Sequence, residues 1–107
     1  HSNLFARMNT MSIGVIVNLE FKPGGAASMI ETMKERLPFT RSYDGCEDIQ
    51  MYTDHDNPDH IVLVERWASR AHYDKYLEWA MAQASTQEAV QAAQREMTIQ
   101  YLDETGA

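Results

Sequence analysis

Trp67, His72, Tyr73 and Tyr76 fall within ten consecutive residues, and they are the side chains of this chain best suited to handle a flat, oxygen-bearing molecule. An indole offers an apolar face on which an aromatic ligand can stack, and the same ring can equally fill a core. Tyr73 and Tyr76 are three apart, so on a helix both point into one cleft or both pack. His72 carries an imidazole that can be neutral near pH 7 and can accept a proton from a phenol or quinol. It stands one residue from Tyr73, about 100° round a helix, so solvent or a helix cap competes with a site for it. The run Asp54-His55-Asp56-Asn57-Pro58-Asp59-His60 gathers two His and three Asp. A five-residue His interval matches no standard zinc spacing, and Asn and Pro serve turns, so this run reads as a solvated hairpin loop and no metal site is expected. No phosphate-cradling Gly-rich loop, dinucleotide fingerprint or nucleophile elbow occurs.

Composition narrows the partners. The 107 residues carry 9 Lys+Arg against 16 Asp+Glu, a net charge of −7. An acid excess opposes binding to a phosphate backbone, which needs clustered cations. No uninterrupted apolar run exceeds four residues (Ile61 to Val64), too short to span a bilayer. Neither nucleic acid nor membrane is expected as a partner. Cys46 is alone, so no internal disulfide or thiolate cage can form, and a cytoplasmic location is expected. The chain opens His1-Ser2-Asn3 without a Met. Residues 1–10 are set aside as a tail or appended remnant, with Met8 or Met11 the expected start, and 11–107 as one domain.

The elements that position these residues follow from periodicity. Val15, Val17, Leu19 and Phe21 alternate with more polar neighbours between Ile13 and Lys22, the period of a strand with one buried face. Pro23-Gly24-Gly25 breaks it. From Ala26, Met29, Ile30, Met33 and Leu37 share one helical face, with Glu31, Lys34, Glu35 and Arg36 opposite; Pro38 is expected to end or kink this helix. Asp44-Gly45 turns the chain into a second strand, Cys46 to Thr53, with Ile49 and Met51 on one side. Ile61 to Trp67 is the most hydrophobic stretch and belongs inside the sheet. Ser69 can cap a second helix whose apolar face is Tyr73, Tyr76, Leu77, Ala80 and Met81. Ser85-Thr86-Gln87-Glu88 matches a capping box for a third, and Met97 to Leu102 closes as a strand.

Strand, helix, strand, strand, helix, helix, strand is the order of an α+β, ferredoxin-like antiparallel sheet with helices on one face. The other face still carries Ile16, Val62 and Val64, and a second copy is the economical cover, so a homodimer is expected.

Four landmarks line up in order: Pro23-Gly24, Asp44-Gly45-Cys46, Ile61 to Trp67, and Trp67-Ala68-Ser69-x-x-His72. Together they resemble the antibiotic biosynthesis monooxygenase family, nearest in pattern to its quinol monooxygenase-like members, over about residues 11 to 103. The resemblance implies a dimeric α+β barrel. It implies that Trp67 lines a pocket between sheet and helices and binds substrate. Some aromatic-polyketide oxygenases of the family hold substrate oxygens with a Tyr at the place of Tyr73, and quinol monooxygenase-like relatives tend to carry His at the place of His72. An Asn that those polyketide oxygenases use four residues before the Trp is Leu63 here. The haem-degrading branch uses a strand-one Asn, a Trp and a helix-two His. Its Asn phase falls at Val17 and its His near Leu77, so no His stands where iron would be ligated. Asn18, one residue out of that phase and so facing the other way, is kept as a substrate-binding candidate.

The resemblance therefore implies a monooxygenase that oxidises a phenolic or quinol-type aromatic with O2 and no cofactor. His72 and Tyr73 would be catalytic, while Trp67, Tyr76 and Asn18 would bind substrate. A non-catalytic binding or stress-response dimer is the alternative, favoured by a pocket closed by core side chains with both Tyr hydroxyls bonded to backbone. An isomerase is a third, in which His72 and a carboxylate such as Glu65 transfer protons.

Overall fold

The computed structural model describes residues 12–107; the expected tail at 1–10 lies outside the described residues. Four strands, β1 (Ile13–Glu20), β2 (Cys46–Asp54), β3 (Asn57–Trp67) and β4 (Thr98–Asp103), alternate with helices α1 (Ala26–Ser42), α2 (Arg70–Met81) and α3 (Ala84–Ala92). The sheet is antiparallel throughout, in the order β2-β3-β1-β4. This is the ferredoxin-like architecture the sequence implies. Register runs from Ile13 opposite Trp67 to Glu20 opposite His60. Because side chains alternate, Val15, Val17 and Leu19 of β1 and Ile61, Leu63, Glu65 and Trp67 of β3 all point to the helix-covered face, and all are buried.

Three local expectations are corrected. Pro38 does not end α1, which runs on to Ser42. The missing N–H of an interior proline costs about 3 kcal/mol or more, but Thr40 beyond it is buried and bonded to Tyr76, and Phe39 packs on Trp79 at 4.8 Å. The hairpin at 54–60 is no long loop. Asp54 pairs with Asn57, so β3 starts there, and the Asp54 carboxylate accepts the Asp56 N–H at 2.8 Å. Finally, α3 starts at Ala84 after Gln83, with no side-chain cap, so Ser85 lies inside the helix and forms no capping box.

Two turns fix where the helices begin. Gly25 has no side chain to cap α1, and Asp59 of β3 substitutes for it: its oxygens accept from Gly24 N–H at 3.1 Å and Ala26 N–H at 3.2 Å, a favourable place for a carboxylate. Ser69 caps α2 as expected, accepting the His72 N–H at 3.1 Å. Gly45 has φ +87° and lies against the His72 ring, with which any Cβ would collide.

Candidate functional site

A cavity of about 100 Å³ lies between the sheet and the three helices. Its walls are mostly apolar, with Val17, Leu19 and Leu63 rising from the sheet and Leu37, Leu77 and Ala80 descending from the helices. Cavities of this order accept a single aromatic ring. Into it project the polar side chains of Arg36, Thr40, Glu65, Tyr73 and Tyr76.

Glu65 is the most unusual of them. It occupies an inward position of β3, between Leu63 and Trp67, and is 5% exposed. One oxygen, Oε1, accepts the Trp67 indole N–H at 2.9 Å; Oε2 makes no hydrogen bond among the described residues. Burial lifts its carboxyl to about 7, opposed by the Trp67 hydrogen bond and the positive charge of Arg36. Near neutral pH such a group is both a competent proton acceptor and, once protonated, a competent donor. Tyr73 is raised as well, by burial first and by the Glu65 charge second, so its hydroxyl keeps its proton. That hydroxyl has no hydrogen-bond partner among the described residues, which leaves it able to serve a ligand.

Tyr76 is committed to the protein. Its hydroxyl bonds Thr40 Oγ1 at 3.0 Å and accepts from Arg36 Nη2 at 3.2 Å. Among the described residues neither Tyr hydroxyl is bonded to backbone, so the condition that would favour a closed, non-catalytic core is not met there. Arg36 also donates through Nη1 to Thr86 and, within 3.4 Å, to Ser85. Its Nε–H is buried without a partner among the described residues.

The expected site residues separate into two groups. Tyr73 and Tyr76 line the cavity together. Trp67 is enclosed completely, at 0% exposure, and is not on the cavity wall. Tyr76 covers it at 4.9 Å and Tyr73 meets it edge-on at 5.5 Å, so no ring face is open for stacking, and its link to the site is the N–H it gives Glu65. His72 does not reach the cavity. Its side chain is 39% exposed, with Nε2 3.8 Å from the Asp44 carboxylate and Nδ1 2.7 Å from Ser69 Oγ. Being in the first turn of α2, it is held by the Ser69 cap it joins. Asn18 lies on the opposite face of the sheet, bonded through Oδ1 to His60 Nε2 at 2.8 Å. Among the described residues, no three His, Cys, Asp or Glu side chains are grouped to hold a metal ion.

Glu65 entered the sequence reading only as a carboxylate for the isomerase alternative, although it carried a stronger signal, since it interrupts the inward series Ile61, Leu63, Trp67; Arg36 escaped that reading as a cavity residue. Arg36 is not on the solvent face expected for it: it lies seven residues beyond Met29 and three beyond Met33, on their stripe, and α1 continues past Pro38 far enough to set Thr40 beside it.

Residues 12–96 match the family model for antibiotic biosynthesis monooxygenase. The chain belongs to that family. No curated protein sequence matches. Among solved structures, one named as an antibiotic biosynthesis monooxygenase is similar at 21% identity and TM-score 0.73, covering 87% of this chain and 98% of its own. A conserved Methanosarcina mazei protein aligns at 17% identity and TM-score 0.74, covering 94% and 99%. A Nitrosomonas europaea protein of unknown function aligns at 19% identity and TM-score 0.76, covering 92% and 93%. At these identities, the antibiotic biosynthesis monooxygenase neighbours share the fold, and activity has to be read from the site itself. Among the described residues no helix is long and apolar enough to cross a membrane.

Proposed function

We propose that this chain is a monooxygenase that oxidises a phenolic or quinol-type aromatic with O2 without an added cofactor. The observation that carries this reading is Glu65, a buried carboxylate held near half-ionisation at neutral pH and facing an apolar cavity of single-ring size. Membership of the family supports it.

Glu65 takes the proton of a ring hydroxyl, and the electron-rich phenolate gives one electron to O2. The caged radicals recombine, forming a C–O bond at the ring carbon. Glu65 returns its proton to the outer peroxide oxygen. Loss of the ring C–H proton then breaks the O–O bond, so that a phenol and O2 become a quinone and water. Trp67 fixes Glu65 through its N–H, Tyr73 donates a hydrogen bond to a substrate oxygen, and the apolar walls keep water from the radical pair. His72 and Asn18, both turned away from the cavity, have no step here.

The same Glu65 supports a second reading, proton transfer on an isomerase substrate without oxygen. The partner in either case is a second copy of the chain. The face opposite the helices presents Tyr52, Val64 and Leu102 at 55%, 38% and 41% exposure, with Ile16 and Val62 half-buried among them, and pairing two such faces covers them.

Oxygen uptake with a panel of hydroquinones and phenols, by wild type and Glu65→Gln, tests the proposal. Uptake that needs folded wild type and collapses in Glu65→Gln is the expected result. Substrate turnover that proceeds equally under nitrogen would replace the oxygenase with the isomerase. Uptake untouched by Glu65→Gln would remove Glu65 from both.

A further inference from the structure

The cavity has two ends, and the register of the sheet separates them. Glu65 stands opposite Val15, Leu63 opposite Val17 and Ile61 opposite Leu19. The lining residues Glu65, Leu63, Val17 and Leu19 therefore lie in successive ranks along β1 and β3. α1 follows the same axis. It starts beside Asp59, which accepts the Ala26 N–H at 3.2 Å and lies next to the Ile61 rank on β3. Its last turn reaches the other end, where Arg41 donates to the Ile49 carbonyl at 3.1 Å and Ile49 pairs with Glu65. Met29 and Met33, early in α1, thus belong to the Leu19 end. So does Met97: its neighbour Thr98 pairs with Asn18, and Gln94 N–H bonds the Glu20 carbonyl at 2.6 Å. Tyr73 belongs to the Glu65 end, with its ring edge-on to Trp67 at 5.5 Å. Met81 lies eight residues further along α2, about 12 Å away from that end.

Open hydrogen-bonding capacity collects at the Glu65 end, where Glu65 Oε2 and the Tyr73 hydroxyl have no partner among the described residues. At the other end the polar lining atoms are taken. Thr32 Oγ1 bonds the Ser28 carbonyl at 3.2 Å, and the Ser85 and Thr86 hydroxyls accept from Arg36. What that end offers a ligand is Leu19, Val90 and methionine side chains. Thr32 and Met81 are exposed, whereas Glu65 and Tyr73 are buried, so the polar end is the deep one. One aromatic ring uses up about 100 Å³, and a larger ligand needs a wall that yields. Tyr76, bonded to Thr40 and Arg36, is fixed. Methionine, unbranched and with three rotatable bonds, re-packs readily. A site that is polar at its depth and pliable and apolar towards solvent fits a ligand with the same two ends.

We propose that the cavity takes alkylphenols head first, with the hydroxyl at Glu65 and Tyr73 and an aliphatic substituent para to it among Met29, Met33, Met81 and Met97, whose packing sets the length of that substituent. This rests on the reading of the cavity as a phenol site, and it requires no reaction with oxygen. A para substituent leaves the ring C–H bonds beside the hydroxyl free for the oxidation proposed above.

The probes are phenol, 4-ethylphenol, 4-propylphenol and 4-butylphenol, titrated by calorimetry into wild type, Tyr73→Phe, Met33→Phe and Met97→Phe. In wild type each added methylene is expected to tighten binding about threefold to fourfold, the gain from burying a CH2 group. Met33→Phe and Met97→Phe put a stiff ring in a pliable wall, so each weakens 4-butylphenol by about tenfold and phenol by less than about twofold. Tyr73→Phe removes a contact with the shared head and weakens all four probes by one common factor. 2-Butylphenol, whose tail leaves the ring at the wrong angle, binds about tenfold more weakly than 4-butylphenol. Circular dichroism and the melting temperature verify that each variant is folded; the wild-type series and 2-butylphenol decide the matter if neither methionine variant is. Phenol that binds without any gain along the series would overturn the assignment and leave the phenol site standing. So would 2-butylphenol binding as well as its isomer, an undiminished gain per methylene in both methionine variants, or phenol binding unweakened in Tyr73→Phe. If no probe binds wild type, the phenol site itself falls and this assignment with it. Tightening along the series without oxygen uptake on any phenol removes the oxygenase and leaves this assignment standing.

Discussion

Glu65 and Arg66 are neighbours on β3 and live in opposite worlds. Arg66 points to the open face of the sheet, where Glu47 meets it at 3.2 Å and Glu104 at 3.1 Å, all partly exposed. Glu65 points to the helix-covered face, receives one hydrogen bond from an indole, and has its carboxyl pushed up to about 7 by burial. The charges of the open face are paired and hydrated, so each is worth little and costs little. Those of the covered face, buried Glu65 and half-buried Arg36, make no direct ion pair among the described residues, an arrangement that costs stability and persists where it serves a site. The difference teaches where to look on such a sheet: the chemistry belongs with the unpaired charges.

The largest expected effect is on turnover. Glu65→Gln keeps the size of the side chain and an oxygen for the Trp67 N–H but cannot accept the proton, and general-base catalysis is typically worth about 10²–10⁴-fold. Oxygen-uptake rates should fall by that factor, while Arg66→Ala leaves them intact.

Next comes association. Val64→Lys places a charge in the middle of the open face, and sedimentation should show the dimer giving way to monomer. A monomeric wild type would break the comparison on its open side.

The third effect is on stability against pH. Glu65 binds its proton more tightly folded than unfolded, so its contribution is fully favourable below the unfolded value of 4.5 and is lost as pH rises through about 7. The loss is on the order of 3 kcal/mol. Urea titrations at pH 5 and pH 8 should show it in wild type and miss it in Glu65→Gln, which becomes the more stable protein at pH 8.

Smaller effects belong to the surface. Arg66→Ala should cost at most about 1 kcal/mol, less in high salt. His72→Ala should change turnover by less than about twofold, because its ring lies with Ser69 and Asp44 outside the cavity; a loss comparable to that of Glu65→Gln would return the proton step to His72.

Much of this architecture was legible beforehand. Alternation placed Val15, Val17, Leu19 and Phe21 inside, Ser69 marked the start of α2, and Tyr73 and Tyr76 reached the cavity as their spacing implied. What could not be read were features set by tertiary partners. Pro38 announces a helix end, but Thr40 and Phe39 find partners on α2 that carry α1 onward. Asp59 looks like a turn residue and instead caps a helix 33 positions earlier in the chain, at Ala26. Arg36 reads as solvated because arginine usually is; its place follows from the hydroxyls of Tyr76 and Thr86, forty and fifty residues away. Trp67 and Asn18 show the converse. Their types suited a ligand, but one is sealed under two Tyr rings and the other faces away.

The most direct test of the account is a carbon-13 NMR titration of the Glu65 carboxyl in the wild-type protein, assigned by comparison with Glu65→Gln. The account predicts a midpoint near 7. A midpoint near the ordinary glutamate value of 4.5 would contradict it, because Glu65 would then be an ordinary solvated anion and no poised base would face the cavity.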